Sequence, residues 1–155
     1  MRRTPFTAVL VTMLLGGAAV QAAAPSKASV QAEIWAKEQT IYRERGHGNM
    51  QPYIESAAKD YLAWPPFRPA PAGMSGLEEL KKSMVVDNKE ILSMSLVGFA
   101  LNGDAAVIYY QTHRTRLPDG TATDEYFDVT HSWVFQDGQW RVFGGMARAT
   151  PKRPG

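Results

Sequence analysis

The sequence has no cysteine. That excludes disulfides, thiolate metal sites, a thiol nucleophile and a lipid-anchored N-terminal cysteine. Stability must then come from a packed core. Histidine is scarce as well, with three residues, His47, His113 and His131, scattered along 155 positions. They do not make a metal set. There is no HExxH, no glycine-rich phosphate loop and no G-x-S-x-G elbow, so neither a metal nor a cofactor is expected. Net charge is small too. The 17 Lys and Arg face 15 Asp and Glu, and two of the basic residues are Arg2 and Arg3. Residues 1–22 hold no acid, so without them the balance is 15 against 15. A near-neutral domain is a poor match for nucleic acid.

What is present begins with an export signal. Arg2 and Arg3 form a positive start, and Phe6 to Val20 is apolar or small apart from Thr7 and Thr12. That run is short for a stable membrane span but fits a signal core. Val20-Gln21-Ala22 satisfies the small-x-small cleavage rule, which places the cut after Ala22. The expectation is an exported protein, periplasmic or secreted, with no stable membrane anchor after cleavage. Residues 23–28 read as a linker and 29–149 as one domain. Residues 150–155, with Lys152 and Arg153, read as a flexible basic tail. About 130 mature residues suit a single core.

The domain divides into helices and then strands. Val30, Ile34, Trp35, Ile41 and Tyr42 recur at three- and four-residue steps, which predicts a first helix ending at Gly46-His47-Gly48-Asn49. Pro52 to Lys59 reads as a second helix, and Tyr61-Leu62-Ala63-Trp64 as a short strand stopped by Pro65-Pro66. Ser75-Gly76-Leu77-Glu78 reads as a capping box opening a third helix. Four strands follow, Ile91–Leu101, Ala105–Leu117, Thr123–Phe135 and Trp140–Arg148, separated by turns such as Asp137-Gly138. Such long strands must bend, and Gly98, Gly144 and Gly145 stand where they could. The fold class is α+β. Three N-terminal helices would pack on a curved, mainly antiparallel sheet, giving a cone with one open end.

The period of two sorts the candidate residues. Phe127, Val129, His131, Trp133 and Phe135 share one face of the third long strand. His131 is the only ionisable group in that apolar row. It could act as general acid, general base or hydrogen-bond donor, or be a core histidine satisfied by neighbours. Glu38 falls at helical spacing with Ile34, Ile41 and Tyr42. It either points inward to pair with His131 or an arginine, or faces water at the stripe edge. Tyr109 and His113 share a face of the second long strand, and register decides whether that face adjoins His131. Trp35, Tyr42, Trp64, Phe67 and Trp133 read as pocket lining or core.

This layout resembles the nuclear transport factor 2-like superfamily, and within it the SnoaL-like domains. The resemblance rests on Ile34-Trp35, on Tyr61-Leu62-Ala63-Trp64-Pro65-Pro66, on the helix near Ser75, and on Thr130 to Val142 with its Asp137-Gly138 turn before Trp140-Arg141-Val142. It implies a pocket mouth near Asp60, Tyr61 and Trp64. It also implies a homodimer formed through the outer face of the sheet. The superfamily holds ketosteroid isomerases, polyketide cyclases, dehydratases, epoxide hydrolases and transport factors, so fold does not choose an activity. Ketosteroid isomerases carry a basic aspartate just before a proline where this chain has Trp64 before Pro65. By the same resemblance His131 stands where they keep an acidic donor. Asp60 is then the nearest remaining acid. Three readings follow. One is a binding domain for a small hydrophobic molecule, with Trp35, Tyr42, Tyr61, Trp64, Tyr109, His113, Phe127 and Trp133 as lining. Another is an acid–base enzyme using His131 with Asp60 or Glu38. The third is a dimeric structural or interaction domain with a filled cone.

Overall fold

The computed structural model describes residues 25–85 and 87–150. The expected signal peptide and residues 151–155 of the expected tail lie outside that range. Helix α1 spans Lys27–Gly46 and begins inside the stretch read as linker. The reason is local. Ser26 is its N-cap, and the serine Oγ accepts from the Ser29 amide at 3.1 Å.

Helix α2 (Gln51–Ser56) is shorter than the sequence suggested. Its end is set by pairing, because strand β1 (Ala57–Trp64) runs parallel to the last strand from Ala57 onward. Strand β2 (Ala72–Gly73) pairs antiparallel with β1. Helix α3 (Met74–Ser83) starts directly after it, with Gly73 as N-cap and no side-chain cap. The predicted capping box at Ser75 is therefore corrected: pairing of Gly73 with Leu62 fixes the entry before the serine can serve. The three helices are interleaved with strands rather than standing together ahead of the sheet.

Strands β3 (Ile91–Asn102), β4 (Ala105–Arg116), β5 (Ala122–Gln136) and β6 (Gln139–Thr150) form the expected antiparallel meander. Thr150 belongs to β6, not to a tail. The full order is β2-β1-β6-β5-β4-β3, a mixed six-stranded sheet that does not close. The fold is α+β. Asp137 and Gly138 both have positive φ, 53° and 77°, as a two-residue hairpin turn matched to the strand twist requires.

Two register shifts bend the sheet. One leaves Val97 unpaired beside Gly98, and the other leaves Phe143 unpaired beside Gly144. A side chain at Gly144 would collide with the Leu62 carbonyl, so glycine lets β1 lie close to β6. Helix α1 covers one face of the bent sheet, here the inner face. Val30, Ile34, Glu38 and Ile41 form its buried stripe. The covered sheet face is buried too, at Ala106, Ile108, Tyr110 and Thr112 of β4 and Phe127, Val129, His131 and Trp133 of β5, and Glu38 bonds Tyr110, His131 and Trp133 across it.

Candidate functional site

At the centre of the inner face a carboxylate is sealed from water. Glu38 is 0% exposed. It stands four residues after Ile34 and three before Ile41, in the middle of the apolar stripe rather than at its edge. The water-facing alternative is thus corrected. A buried carboxylate needs donors, and three are supplied. Trp133 Nε1–H donates to Oε1 at 2.8 Å, Tyr110 O–H donates to Oε2 at 2.9 Å, and His131 Nδ1 lies 2.8 Å from Oε1. A carboxylate in its ionised form only accepts, so with Glu38 in that form the Nδ1 proton belongs to the histidine.

The chain of contacts continues beyond the ring. His131 Nε2 lies 3.3 Å from the Tyr53 hydroxyl, which lies 2.9 Å from the Tyr61 hydroxyl. In the neutral ring Nε2 accepts from Tyr53. Burial, first among the causes, raises the phenol pKa of Tyr42, Tyr53, Tyr61 and Tyr110, well above the ordinary value for Tyr53 and Tyr110. These hydroxyls therefore keep their protons and act as donors at neutral pH. Gly145 is forced by the same centre, because a side chain there would strike the His131 ring and the Thr130 carbonyl.

The structure brings Glu38, His131, Trp133 and Tyr61 into one network and packs Trp35 against it, its ring 5.7 Å from Tyr110. Other candidates stand elsewhere. Asp60 is exposed, because β1 alternates and turns Tyr61 and Ala63 inward while Asp60, Leu62 and Trp64 face out. Asp60 is therefore no partner for His131. Trp64 is 45% exposed, and its indole N–H donates to the Arg68 carbonyl at 2.8 Å, tying down the proline loop rather than lining the interior. Tyr109 and His113 lie on the outer face, since the register pairs Tyr109 with Thr130 and His113 with Tyr126. There His113 stacks on Tyr126 at 4.1 Å and lies 2.8 Å from Asp124. Trp133, 1% exposed, is core rather than pocket lining.

A cavity of about 190 Å³ opens at one end of the inner face. Tyr42, Leu92, Thr112, Phe127 and Val129 form its walls, with Phe67 at the rim. It ends at Val129, one inner-facing position short of His131. Arg45 and Arg114 also line it. Both bond Glu90, at 3.2 Å in each case. Burial alone would lower the Arg45 pKa, but Tyr42 and Glu90 beside it more than offset that, and the net shift is upward. It stays charged. These two arginines, Tyr53 and Tyr110 were missed from the sequence. Tyr110 was legible in principle, because it shares the β4 face of Ala106, Ile108 and Thr112. Nothing local marks the arginines.

Solved structures share this fold. A nuclear transport factor 2-like protein of unknown function from Pseudomonas putida matches with a TM-score of 0.68 at 14% identity, over 81% of this chain and 89% of that one. The chain has the nuclear transport factor 2-like fold. A member of that family from Streptomyces avermitilis, provisionally described as a dehydratase, matches this fold with a TM-score of 0.69 at 12% identity, covering 82% of this chain and 100% of the other. A ketosteroid isomerase-like protein from Erwinia carotovora matches it at 0.64 and 17% identity, over 78% and 96%. No family model and no curated protein matches the sequence.

Proposed function

We propose that this protein is an exported, small-molecule-binding domain of the SnoaL-like type, and that its binding site is the cavity at the open end of a cone-shaped inner face. One observation carries the reading. The cavity combines apolar walls, from Leu92, Phe127 and Val129, with convergent polar groups, from Tyr42, Arg45, Thr112 and Arg114, as small-molecule sites do. Native mass spectrometry of the protein purified from its own periplasm is the test. A co-purifying small molecule is expected, and Ala147→Phe, at a residue that also lines the cavity, should fill it and remove the molecule. A protein that arrives empty, or a molecule retained by the filled variant, overturns the reading. N-terminal sequencing of the same sample tests export, with Ala23 expected as the first residue.

A second reading is favoured by a specific geometry. Glu38, His131 and Tyr53 form a relay of the kind acid–base enzymes use, with the carboxylate orienting the ring through Nδ1. It requires the floor at Val129 to open. A turnover found by substrate screening that survives His131→Ala would sink this assignment.

The proposed partner is a second copy of the chain, seated on the outer face. Val97, Tyr109 and Met146 there are 64%, 47% and 54% exposed. They adjoin the Arg148–Asp128 pair, so both charge signs are present for a two-fold contact. Light scattering should give a dimer, and Tyr109→Glu a folded monomer. A wild-type monomer at high concentration overturns it.

A further inference from the structure

The lining of the mouth cavity has a one-sided charge. Two guanidinium groups, Arg45 and Arg114, border it, and among the described residues no carboxylate does. Their shared partner Glu90 is buried, its side chain 4% exposed, and it borders the neighbouring groove beside Gln39 and Arg43 instead. The acid that neutralises the arginines therefore stands behind them, while the cations face the cavity.

The two arginines are differently committed. Arg114 gives Nε and Nη2 to Glu125 and Nη1 to Glu90. Among the described residues, the Arg45 guanidinium donates only through Nη2, to Glu90. A guanidinium has five N–H donors, so Nε and Nη1 of Arg45 keep donor capacity. That side chain also lies over an aromatic ring, with Cζ 4.4 Å from the centre of the Tyr42 ring. Arg114 lies over Phe127 in the same way, at 5.5 Å. Planar, pre-positioned forks of this kind suit a carboxylate.

The rim adds a third element. Phe67 has φ 67°, a left-handed conformation that bulky residues seldom adopt. It is 79% exposed, yet its ring meets Phe127 edge-on at 5.9 Å. Strain of this kind persists where it positions a side chain for use. Here it holds an aromatic ring over the mouth. A bound apolar group would bury that ring. The cavity, about 190 Å³, is below the usual range for drug-sized ligands, roughly 300 Å³ and upward.

We propose that the mouth cavity binds a small organic carboxylate with a flat or branched apolar body. Arg45 takes the carboxylate, Arg114 supports its charge, and Phe67, Phe127 and Leu92 enclose the body. This rests on the binding reading above and names the ligand class for that site. A cation would face two guanidiniums, and a neutral ligand would leave the Arg45 donors unmatched.

The probes are two acid–amide pairs, benzoate with benzamide and isovalerate with isovaleramide, titrated at pH 7 and followed by amide chemical shifts. Each acid should bind at least ten-fold more tightly than its amide, with shifts centred on Leu92, Thr112 and Phe127. Arg45→Gln should cut acid affinity about ten-fold and leave the amides unchanged. Phe67→Ala should weaken acid and amide alike. Equal affinity of acid and amide overturns the carboxylate assignment and leaves the binding reading in place. Shifts centred away from the mouth overturn it as well. Absence of binding by all four probes, with a protein that also purifies empty, overturns both. The acid–amide comparison needs only the wild-type chain, so a variant that fails to fold does not decide the outcome.

Discussion

Two histidines in this molecule each lie 2.8 Å from a carboxylate oxygen, and they live in different environments. His131 and Glu38 sit on the inner face with side chains 7% and 0% exposed. His113 and Asp124 sit on the outer face at 33% and 43%. Distance alone would rank them as equals. At a wet surface such a contact gives up solvation and side-chain freedom for a small gain. Inside, the same two groups have no water to return to, so each becomes a condition for the other. Trp133 and Tyr110 are bound to that condition as well, since both donate to Glu38. The outer pair is an ornament of a surface, while the inner one organises a core.

The sharpest way to break this comparison is to remove the two acids in turn. Glu38→Ala strands three buried donors and should cost about 3–5 kcal/mol in urea unfolding. If it cost as little as a surface change, the inner network would not be the centre of the fold. Gly145→Ala comes next. Its methyl would press on the His131 ring, and the expected loss is about 1–3 kcal/mol. Gly46→Ala, with open space around it, should lose nothing comparable.

Alkaline pH tests the environment rather than the contacts. Burial raises the pKa of Tyr42, Tyr53, Tyr61 and Tyr110 from 10.0 in the folded protein. The native state therefore holds these protons to higher pH than the unfolded chain. Stability is fully present below pH 10 and is lost as pH rises above it, by up to about 1.4 kcal/mol per pH unit for each phenol. Urea midpoints at pH 9, 10 and 11 would measure this, and Tyr53→Phe should flatten the slope. A profile level from pH 9 to 11 would contradict the burial of these rings. The smallest effect belongs to the outer pair. Asp124→Ala should change stability by less than about 1 kcal/mol, and added salt should shrink even that.

The strands were legible because each has its own alternation and its own turn. All four long strands fall within two residues of the expected ends, and period two alone gives the inward row Phe127, Val129, His131 and Trp133; Phe135, expected in the same row, is 41% exposed at the strand's end. Nothing comparable located β1 and β2. Ala57 to Trp64 looks locally like the end of a helix followed by a short strand, and becomes an eight-residue strand by pairing with β6. Ser75 has the sequence of a helix cap, yet the helix entry was set two residues earlier by the contact of Gly73 with β1. At the site, His131 and Glu38 were both named from spacing. Tyr109 and His113 group with them because period two sorts residues into faces without saying which face meets another strand's inner side, and Asp60 joins them only because the resemblance puts the pocket mouth beside it.

The sequence by itself determined the lengths of the long strands, the positions of their turns, the glycines at their bends and the apolar stripe that carries Glu38. These depend on neighbours a few residues away, where backbone geometry dictates side-chain direction. Only the tertiary structure decided that Glu38 is sealed and triply bonded, that His113 lies outside and His131 inside, and that Arg45 and Arg114 converge on the mouth from separate elements. Those outcomes depend on register and on the helix laid across the sheet. One residue of slip would exchange every inner and outer side chain of a strand, and no local signal in the strand itself can tell which of its two faces will be covered.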